Sequence, residues 1–497
     1  MTIYDSAMKK ISSAISPLLK IDRRSPKALY RQVYDAYHTA IGERTLRSGQ
    51  RVPSTRTLAA ELGTSRIPIV NAYAQLLAEG YLQSRVGAGT VVSRALPDEI
   101  IAPEPAHTRA AAGRYPTRTT GSRNLQTSPL ESFAWPRAYG AFSVSQVDFG
   151  HFPLRVWSSL IARQCRNACA TSLDYGDPMG SQDLREAIAT YLRTARGVRC
   201  EAGQIMIVSG SQQALEMTAR VLLDRGDRVW MEEPGYRFAR SVFGIHGCHM
   251  APVPIDGEGL NVAAGIKRCP RARAAFVTPS HQYPLGVTMS ASRRLQLLDW
   301  AEKSRSWIIE DDYDSEYRYE NMSIASLQGL DRYSRVVYVG TFSKVLFPAL
   351  RMGYMVIPPD LIPRFRAVRI AMDIGPPGFH QAVLADFIRE GHFARHLRRM
   401  RLLYGERRSI LIRCIGEELG PRAEVFGGPA GMHLSLSLKG ICDREIVDRA
   451  ARNKLWLVPL SSSYAGKASR QGFILGFGST AAEQIPAAIL QLREAIQ

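Results

Sequence analysis

Residues 336–358 read VVYVGTFSKVLFPALRMGYMVIP, and the reading of this stretch decides the fold. Val336 to Val339 form an apolar run rich in β-branched side chains, as expected of a strand covered on both faces. Small residues follow, and then Lys344 stands alone in mostly apolar surroundings. An ammonium is costly to desolvate, so a lysine placed there calls for a partner or a task. Arg351 comes seven residues later, and Asp311, in IIEDDYDSEY, comes 33 residues earlier. Taken singly, an aspartate at a strand end reads as a cap and an arginine after Pro-Ala-Leu as a surface charge. The rest of the chain makes the set specific.

Outward from this stretch, QIMIVSG, DRVWMEE, AAFVTPS and SWIIEDD are further strand-like runs, each followed by a helical or loop segment. Alternation of this kind predicts an α/β fold with an open, mainly parallel sheet, whose ligands bind at the carboxyl ends of the strands. It extends over residues 145–497. Residues 95–144 are rich in Pro, Ala, Thr, Ser and Arg without sustained periodicity, which is a linker composition. Residues 25–94 are compact and helix-patterned, and residues 1–24 form a basic N-terminal extension.

The chain has 497 residues, enough for several domains, with a net charge of +19 that points to a polyanionic partner such as nucleic acid. A general arginine bias is the other reading of that charge. Residues 1–94 hold 14 Lys/Arg against 6 Asp/Glu, so the surplus is concentrated there. The seven cysteines contain no C-x-x-C pair and no Cys/His metal spacing, so neither a disulfide framework nor a metal site is expected. The N-terminus lacks the apolar core of a signal peptide, and no run approaches the ~18 apolar residues of a spanning helix. A cytoplasmic location is expected.

In the N-terminal module, Ser25 and Pro26 read as the start of a helix carrying Leu29, Tyr30, Val33, Tyr34, Tyr37 and Ile41 on one face. Ser54 and Ser65 are candidate caps of two short helices that end at Gly63 and Gly80. This is a helix-turn-helix, and Tyr81–Ser93 reads as a β-hairpin wing. Leu29 to Val92, including VPSTRTLAAELGTSR, AYAQLLAEGYL and GAGT, resembles the GntR family of winged helix-turn-helix repressors. The resemblance implies contacts with double-stranded DNA by Arg56, Ser65, Arg66, Gly87 and Thr90. Arg66 lies in the first turn of the second helix, where a guanidinium reaches a base edge or a phosphate. Ile67 and Pro68 stand where that family usually has polar residues, so base readout there is apolar or altered.

The C-terminal module resembles the fold-type I pyridoxal-phosphate enzymes of the aspartate aminotransferase superfamily through LDYGDPMGSQDLREAIATYL, VSGSQQALEM, EEPGY, TPSHQYPLG, IIEDDYDSEY and GTFSKVLFPALRMGY. With both modules, the chain resembles the MocR/GabR regulators. That resemblance implies helices on both faces of the sheet, a small C-terminal α/β subdomain and pyridoxal 5'-phosphate as cofactor. Lys344 would form the Schiff base, Asp311 would hold the pyridine nitrogen protonated, and Tyr313 would bond the phenolic oxygen. Gly210, Ser211 and Gln212, at a helix start, would receive the phosphate with Thr341, Ser343 and Arg351. Tyr236 would stack on the ring, His281 would face the cofactor beside Gln282, and Tyr175 would reach the neighbouring subunit's phosphate.

The resemblance also implies an arginine near the C-terminus that clamps a substrate carboxylate, but Ile474 occupies the simplest register. Arg470, Arg237 and Arg240 are the alternatives. The leading reading is a homodimeric DNA-binding transcriptional regulator that senses an amine, an amino acid or pyridoxal phosphate, with a linker long enough for a domain-swapped dimer. An active aminotransferase with an accessory DNA-binding domain is the runner-up, and a cofactor-free dimerisation scaffold comes third.

Overall fold

The computed structural model describes residues 21–85, 89–93, 140–169, 173–319 and 325–497. The chain divides into two compact units, one within residues 1–119 and one within 120–497.

Among its described residues the first unit has three helices, α1 (Leu29–Gly42), α2 (Thr55–Glu61) and α3 (Arg66–Ala78), and a hairpin of β1 (Leu82–Arg85) with β2 (Gly89–Val92). Helix α1 begins three residues later than its sequence suggests. Ser25 Oγ accepts the Lys27 N–H in a local turn, and Ala28 occupies the N-cap position. Val33, Tyr34, Tyr37 and Ile41 are buried as expected, whereas Tyr30 is exposed. Ser54 does cap α2, accepting the Thr57 N–H at 3.1 Å. Ser65 holds the N-cap position of α3, but its side chain makes no capping bond. Tyr37 and Tyr73 are hydroxyl-bonded at 2.9 Å, and Tyr73 donates onward to the Pro53 carbonyl. Buried polar atoms are thereby satisfied inside the small core, which fixes α1 against α3.

The second unit is built on an eight-stranded sheet of order β3-β10-β9-β8-β7-β4-β5-β6. Its strands are β3 (Ile205–Val208), β4 (Arg228–Glu233), β5 (His249–Asp256), β6 (Gly259–Leu260), β7 (Ala274–Val277), β8 (Trp307–Asp312), β9 (Val336–Thr341) and β10 (Gly353–Val356). Neighbours β5, β4, β7, β8 and β9 run parallel, and β10 runs antiparallel between β9 and β3. The carboxyl ends of β3, β4, β7, β8 and β9 therefore share one edge. Strands β3, β7 and β9 are buried along their whole length, which explains the near-continuous apolar runs in the sequence.

A smaller antiparallel sheet, β11 (Ala423–Phe426), β12 (His433–Leu438), β14 (Gly472–Gly476) and β13 (Val458–Pro459), forms the C-terminal part. Residues 140–144 pack with this unit: Ala141 bridges to Leu455, and Phe142 is fully buried. Residues 94–139, the greater part of the expected linker, lie outside the described residues, as does Gly87. Among the described residues, no helix is long and apolar enough to cross a membrane. Cys200, Cys248, Cys269 and Cys414 are buried thiols.

Candidate cofactor site and DNA-binding surface

Strand β8 carries Asp311 to the shared sheet edge, and β9 ends at Thr341, three residues before Lys344. The Lys344 Nζ donates to the Ser145 carbonyl at 3.4 Å. Burial lowers its pKa from 10.5 to about 8, against the opposing pull of Asp314 and Asp311, while Arg351 lowers it further. Such an amine is far easier to deprotonate than a surface lysine, as carbonyl capture requires.

Asp311 is buried, and its Oδ1 has no hydrogen-bond partner. Desolvation and the adjacent Asp312 raise its pKa to about 7, with Lys344 acting in the opposite direction. Asp312 is held by Arg196 at 2.6 Å and by the Tyr338 hydroxyl at 2.6 Å. A buried carboxylate oxygen without a donor is rare, and it fits a cationic N–H supplied by a ligand.

Gly210 precedes the helix Ser211–Leu222 and takes φ +109°, a conformation that a β-carbon resists. A Cβ at Gly210 would stand 3.4 Å from the Arg351 guanidinium. Arg351 itself is left-handed, with φ +49°. The fold thus brings a guanidinium onto a glycine at a helix start, a cup whose donors and charge suit an anion. Thr341 and Ser343 are buried beside it, and the Thr341 hydroxyl accepts the Ser343 N–H at 3.2 Å. Gln212 donates to the Tyr236 hydroxyl at 3.4 Å, which ties the helix start to the EEPGY turn. The Tyr236 ring meets Tyr283 edge-on, with centroids 5.6 Å apart. Both the unpartnered Asp311 oxygen and the Gly210–Arg351 cup fit pyridoxal phosphate.

His281 bonds Tyr313 and Asp314 through Nδ1. Gln282 is spent on structure instead: its amide donates to the Pro234 carbonyl at 2.9 Å and accepts the Leu285 N–H. Tyr175 stands apart at the surface, 81% exposed. Arg240 is engaged by Glu233 and by the Ser463 carbonyl, which removes it as a carboxylate clamp. Arg470 lies over the Phe426 ring, and Arg237 lies over Phe238. Ile474 is fully buried with Leu285 and Leu460, and Tyr283 packs against them, so the clamp register is filled by an apolar cluster.

The sequence reading missed Asp314 and His433. With His281 they form a buried group whose ligand-type atoms lie within 4.8 Å of one another. His281 Nδ1 is bonded to Asp314 and Tyr313, whereas His433 Nε2 is bonded to the Pro284 carbonyl at 3.0 Å. Only their convergence from three loops and strands reveals it.

In the first unit, Arg56, Ser65 and Arg66 are exposed, and the Arg66 Nε donates to the Thr55 hydroxyl at 3.1 Å. Ile67 is 70% exposed and Val70 is also exposed, giving α3 an apolar outer face. Thr90 pairs with Ser84 in the wing. Arg51, also missed, is exposed beside the wing, with its guanidinium 3.0 Å from where a Cβ on Gly89 would stand.

The sheet order and the polar strand ends define an aminotransferase-type fold, and residues 141–468 match the family described as aminotransferase class I and II. Residues 29–92 match bacterial regulatory proteins of the gntR family. The α-aminoadipate aminotransferase LysN of Thermus thermophilus, solved with N-(5'-phosphopyridoxyl)-L-leucine, superposes with a TM-score of 0.69 at 25% identity, covering 75% of this chain and 95% of that one. The chain is 37% identical over 484 residues, 96% of both proteins, to the probable rhizopine catabolism regulatory protein MocR of Rhizobium meliloti. It is 30% identical over 494 residues, 96% of this chain and 98% of the other, to the pyridoxine biosynthesis transcriptional regulator PdxR of Corynebacterium glutamicum. The chain belongs to the MocR family of helix-turn-helix transcriptional regulators, in which a GntR-type domain is fused to an aminotransferase-like domain.

Proposed function

We propose that this regulator binds pyridoxal phosphate in its aminotransferase-like domain and changes its hold on an operator when an amine, an amino acid or the cofactor itself occupies that site. The observation that carries the reading is the buried, unpartnered Asp311 Oδ1 on the same sheet edge as Lys344 and the Arg351–Gly210 cup. When bound, pyridoxal phosphate supplies an aldehyde that captures amines covalently. Lys344 supplies the competing amine, and its lowered pKa keeps a usable fraction neutral near pH 7–8. Asp311 holds the ring nitrogen, Tyr313 the phenolic oxygen, and Tyr236 covers the ring. Ser211, Gln212, Thr341, Ser343 and Arg351 hold the phosphate.

In this reading residues 25–94 read DNA, residues 95–144 link the modules, and residues 145–497 sense the ligand and dimerise. Tyr175 then serves the partner's site, which accords with its exposure in a single chain. A ligand shifts DNA binding only by the difference in its affinity for two conformations, and exchange of Lys344 for a free amine creates such a difference. The test is operator affinity, measured with and without pyridoxal phosphate and a panel of amines, in wild type and Lys344→Ala. An identical ligand response in both proteins would sink the sensor reading. Rapid formation of carbonyl product from the same amines would establish a working aminotransferase instead.

A further inference from the structure

His281 Nδ1 lies 3.0 Å from Oδ1 and 3.2 Å from Oδ2 of Asp314, and 3.0 Å from the Tyr313 hydroxyl. One nitrogen therefore serves two residues, and the location of its hydrogen decides what Tyr313 can do. An ionised carboxylate has only acceptor sites, so the hydrogen in the His281–Asp314 contact belongs to Nδ1. Asp314 is fixed in turn, because its Oδ2 accepts the Met432 N–H at 3.1 Å.

The imidazole is held in a tight seat. A Cβ at Gly431, where φ is +77°, would stand 1.9 Å from His281 Cε1 and 2.7 Å from Asp314 Oδ2. A Cβ at Gly286 would stand 3.0 Å from His281 Nε2 and 2.7 Å from the Gly427 Cα. Both positions accept only glycine, and together they hold the ring against rotation. His281 Nε2 is buried without a hydrogen-bond partner, so the ring's polar contacts are all made at Nδ1.

We propose that Asp314 and His281 are a positioning pair for Tyr313: the carboxylate keeps the hydrogen on Nδ1, and the Tyr313 oxygen accepts a share of it. The Tyr313 O–H is then left to be donated to the cofactor's phenolic oxygen. Without Asp314 the ring could present a bare Nδ1, and Tyr313 would spend its hydrogen there. The pair acts through Tyr313 and touches no reacting atom. This inference rests on the proposed binding of pyridoxal phosphate.

The other titratable groups facing the network are Asp311, Glu232 and Tyr283 around Tyr313, and His433, Lys344, Tyr317 and Tyr319 around Asp314. Each stays in place in the variants compared. Removing Asp314 also removes a charge that acts on Lys344, so Asp314→Ala is compared with Asp314→Ala/His281→Leu, which share that loss and differ in whether a bare Nδ1 is present.

The test uses the full-length protein saturated with pyridoxal phosphate, with its visible absorption titrated against pH. Wild type, Tyr313→Phe, Asp314→Ala and Asp314→Ala/His281→Leu are compared, with His281→Ala replacing His281→Leu if circular dichroism shows the latter unfolded. Loss of the donor to a charged oxygen should move the Tyr313→Phe midpoint by about one pH unit or more. Asp314→Ala should move it in the same direction, because Tyr313 then donates to the bare Nδ1, and adding His281→Leu should bring it back toward wild type. A double variant that stays at the Asp314→Ala midpoint would overturn the pairing while leaving cofactor binding intact. A wild type with no absorption band would overturn cofactor binding, and the pairing with it.

Discussion

The Arg351 guanidinium lies against the backbone of Gly210, 3.4 Å from where a β-carbon on that glycine would stand. Both residues have positive φ, +109° at Gly210 and +49° at Arg351; the first is open to glycine, and the second is disfavoured for a residue with a β-carbon. Strain of that kind, about 1–3 kcal/mol at Arg351, persists where the surroundings enforce it.

Gly210→Ala should therefore cost about 1–3 kcal/mol of stability, read from urea unfolding of the cofactor-free protein. The methyl group would also crowd the guanidinium, so pyridoxal phosphate should bind more weakly while pyridoxal, without the phosphate, is hardly affected. Equal losses for the two compounds would show that the cup does not hold the phosphate.

Asp311 gives a sharper test, because its unpartnered oxygen can be made neutral at constant size. Asp311→Asn keeps an acceptor but removes the charge that holds a protonated ring nitrogen. A hydrogen bond to a charged group contributes about 1.5–3 kcal/mol, so affinity for pyridoxal phosphate should fall roughly ten- to a hundredfold. Equilibrium dialysis measures it. Unchanged affinity would mean that Asp311 faces no cation.

Lys344 should show its lowered pKa directly. Only the neutral amine attacks an aldehyde, so the rate of borohydride-trapped labelling by pyridoxal phosphate should rise with pH around a midpoint near 8, not 10.5. Asp311→Asn removes a charge that favours the ammonium and should move the midpoint down; Arg351→Ala should move it up. The same shift affects stability. Between about 8 and 10.5 the unfolded chain binds more protons at this residue than the folded one, so this group's contribution makes the cofactor-free protein more stable as pH rises through that window. A labelling midpoint near 10.5 would show that the amine is solvated.

The parts of this fold that the sequence made legible are those in which one residue type has one physical use. The buried parallel strands announce themselves as apolar runs, and Lys344, Asp311 and Arg351 stand out because charges beside such runs need a reason. The start of α1 was misplaced because Ser25 can serve a local turn as readily as a helix cap, and local pattern does not separate the two. Asp314 and His433 were missed for a different reason. They come from separate segments, and an aspartate after a strand and a histidine in the run HLSLSL carry no signal until the fold brings both beside His281. Ile474 put the usual carboxylate clamp in doubt; that Leu285 and Leu460 join it in an apolar cluster is a tertiary fact.

The reader domain offers a contrast between two exposed arginines. Arg66 is steadied by the Thr55 hydroxyl through Nε, which leaves its terminal nitrogens as paired donors beside the exposed Ile67 and Val70. Paired donors suit a guanine edge, and the apolar neighbours suit thymine methyl groups. Arg51, beside the wing at Gly89, is placed to meet phosphates. Arg66→Ala should weaken binding to an operator selected from random DNA by ~1–3 kcal/mol, with a much smaller loss on unrelated duplexes. Arg51→Ala should weaken both alike and reduce the slope of log affinity against log salt by about one. Fluorescence anisotropy over a salt series measures both effects. A uniform loss for Arg66→Ala would assign that residue to the phosphate backbone and leave sequence reading to the apolar face of α3.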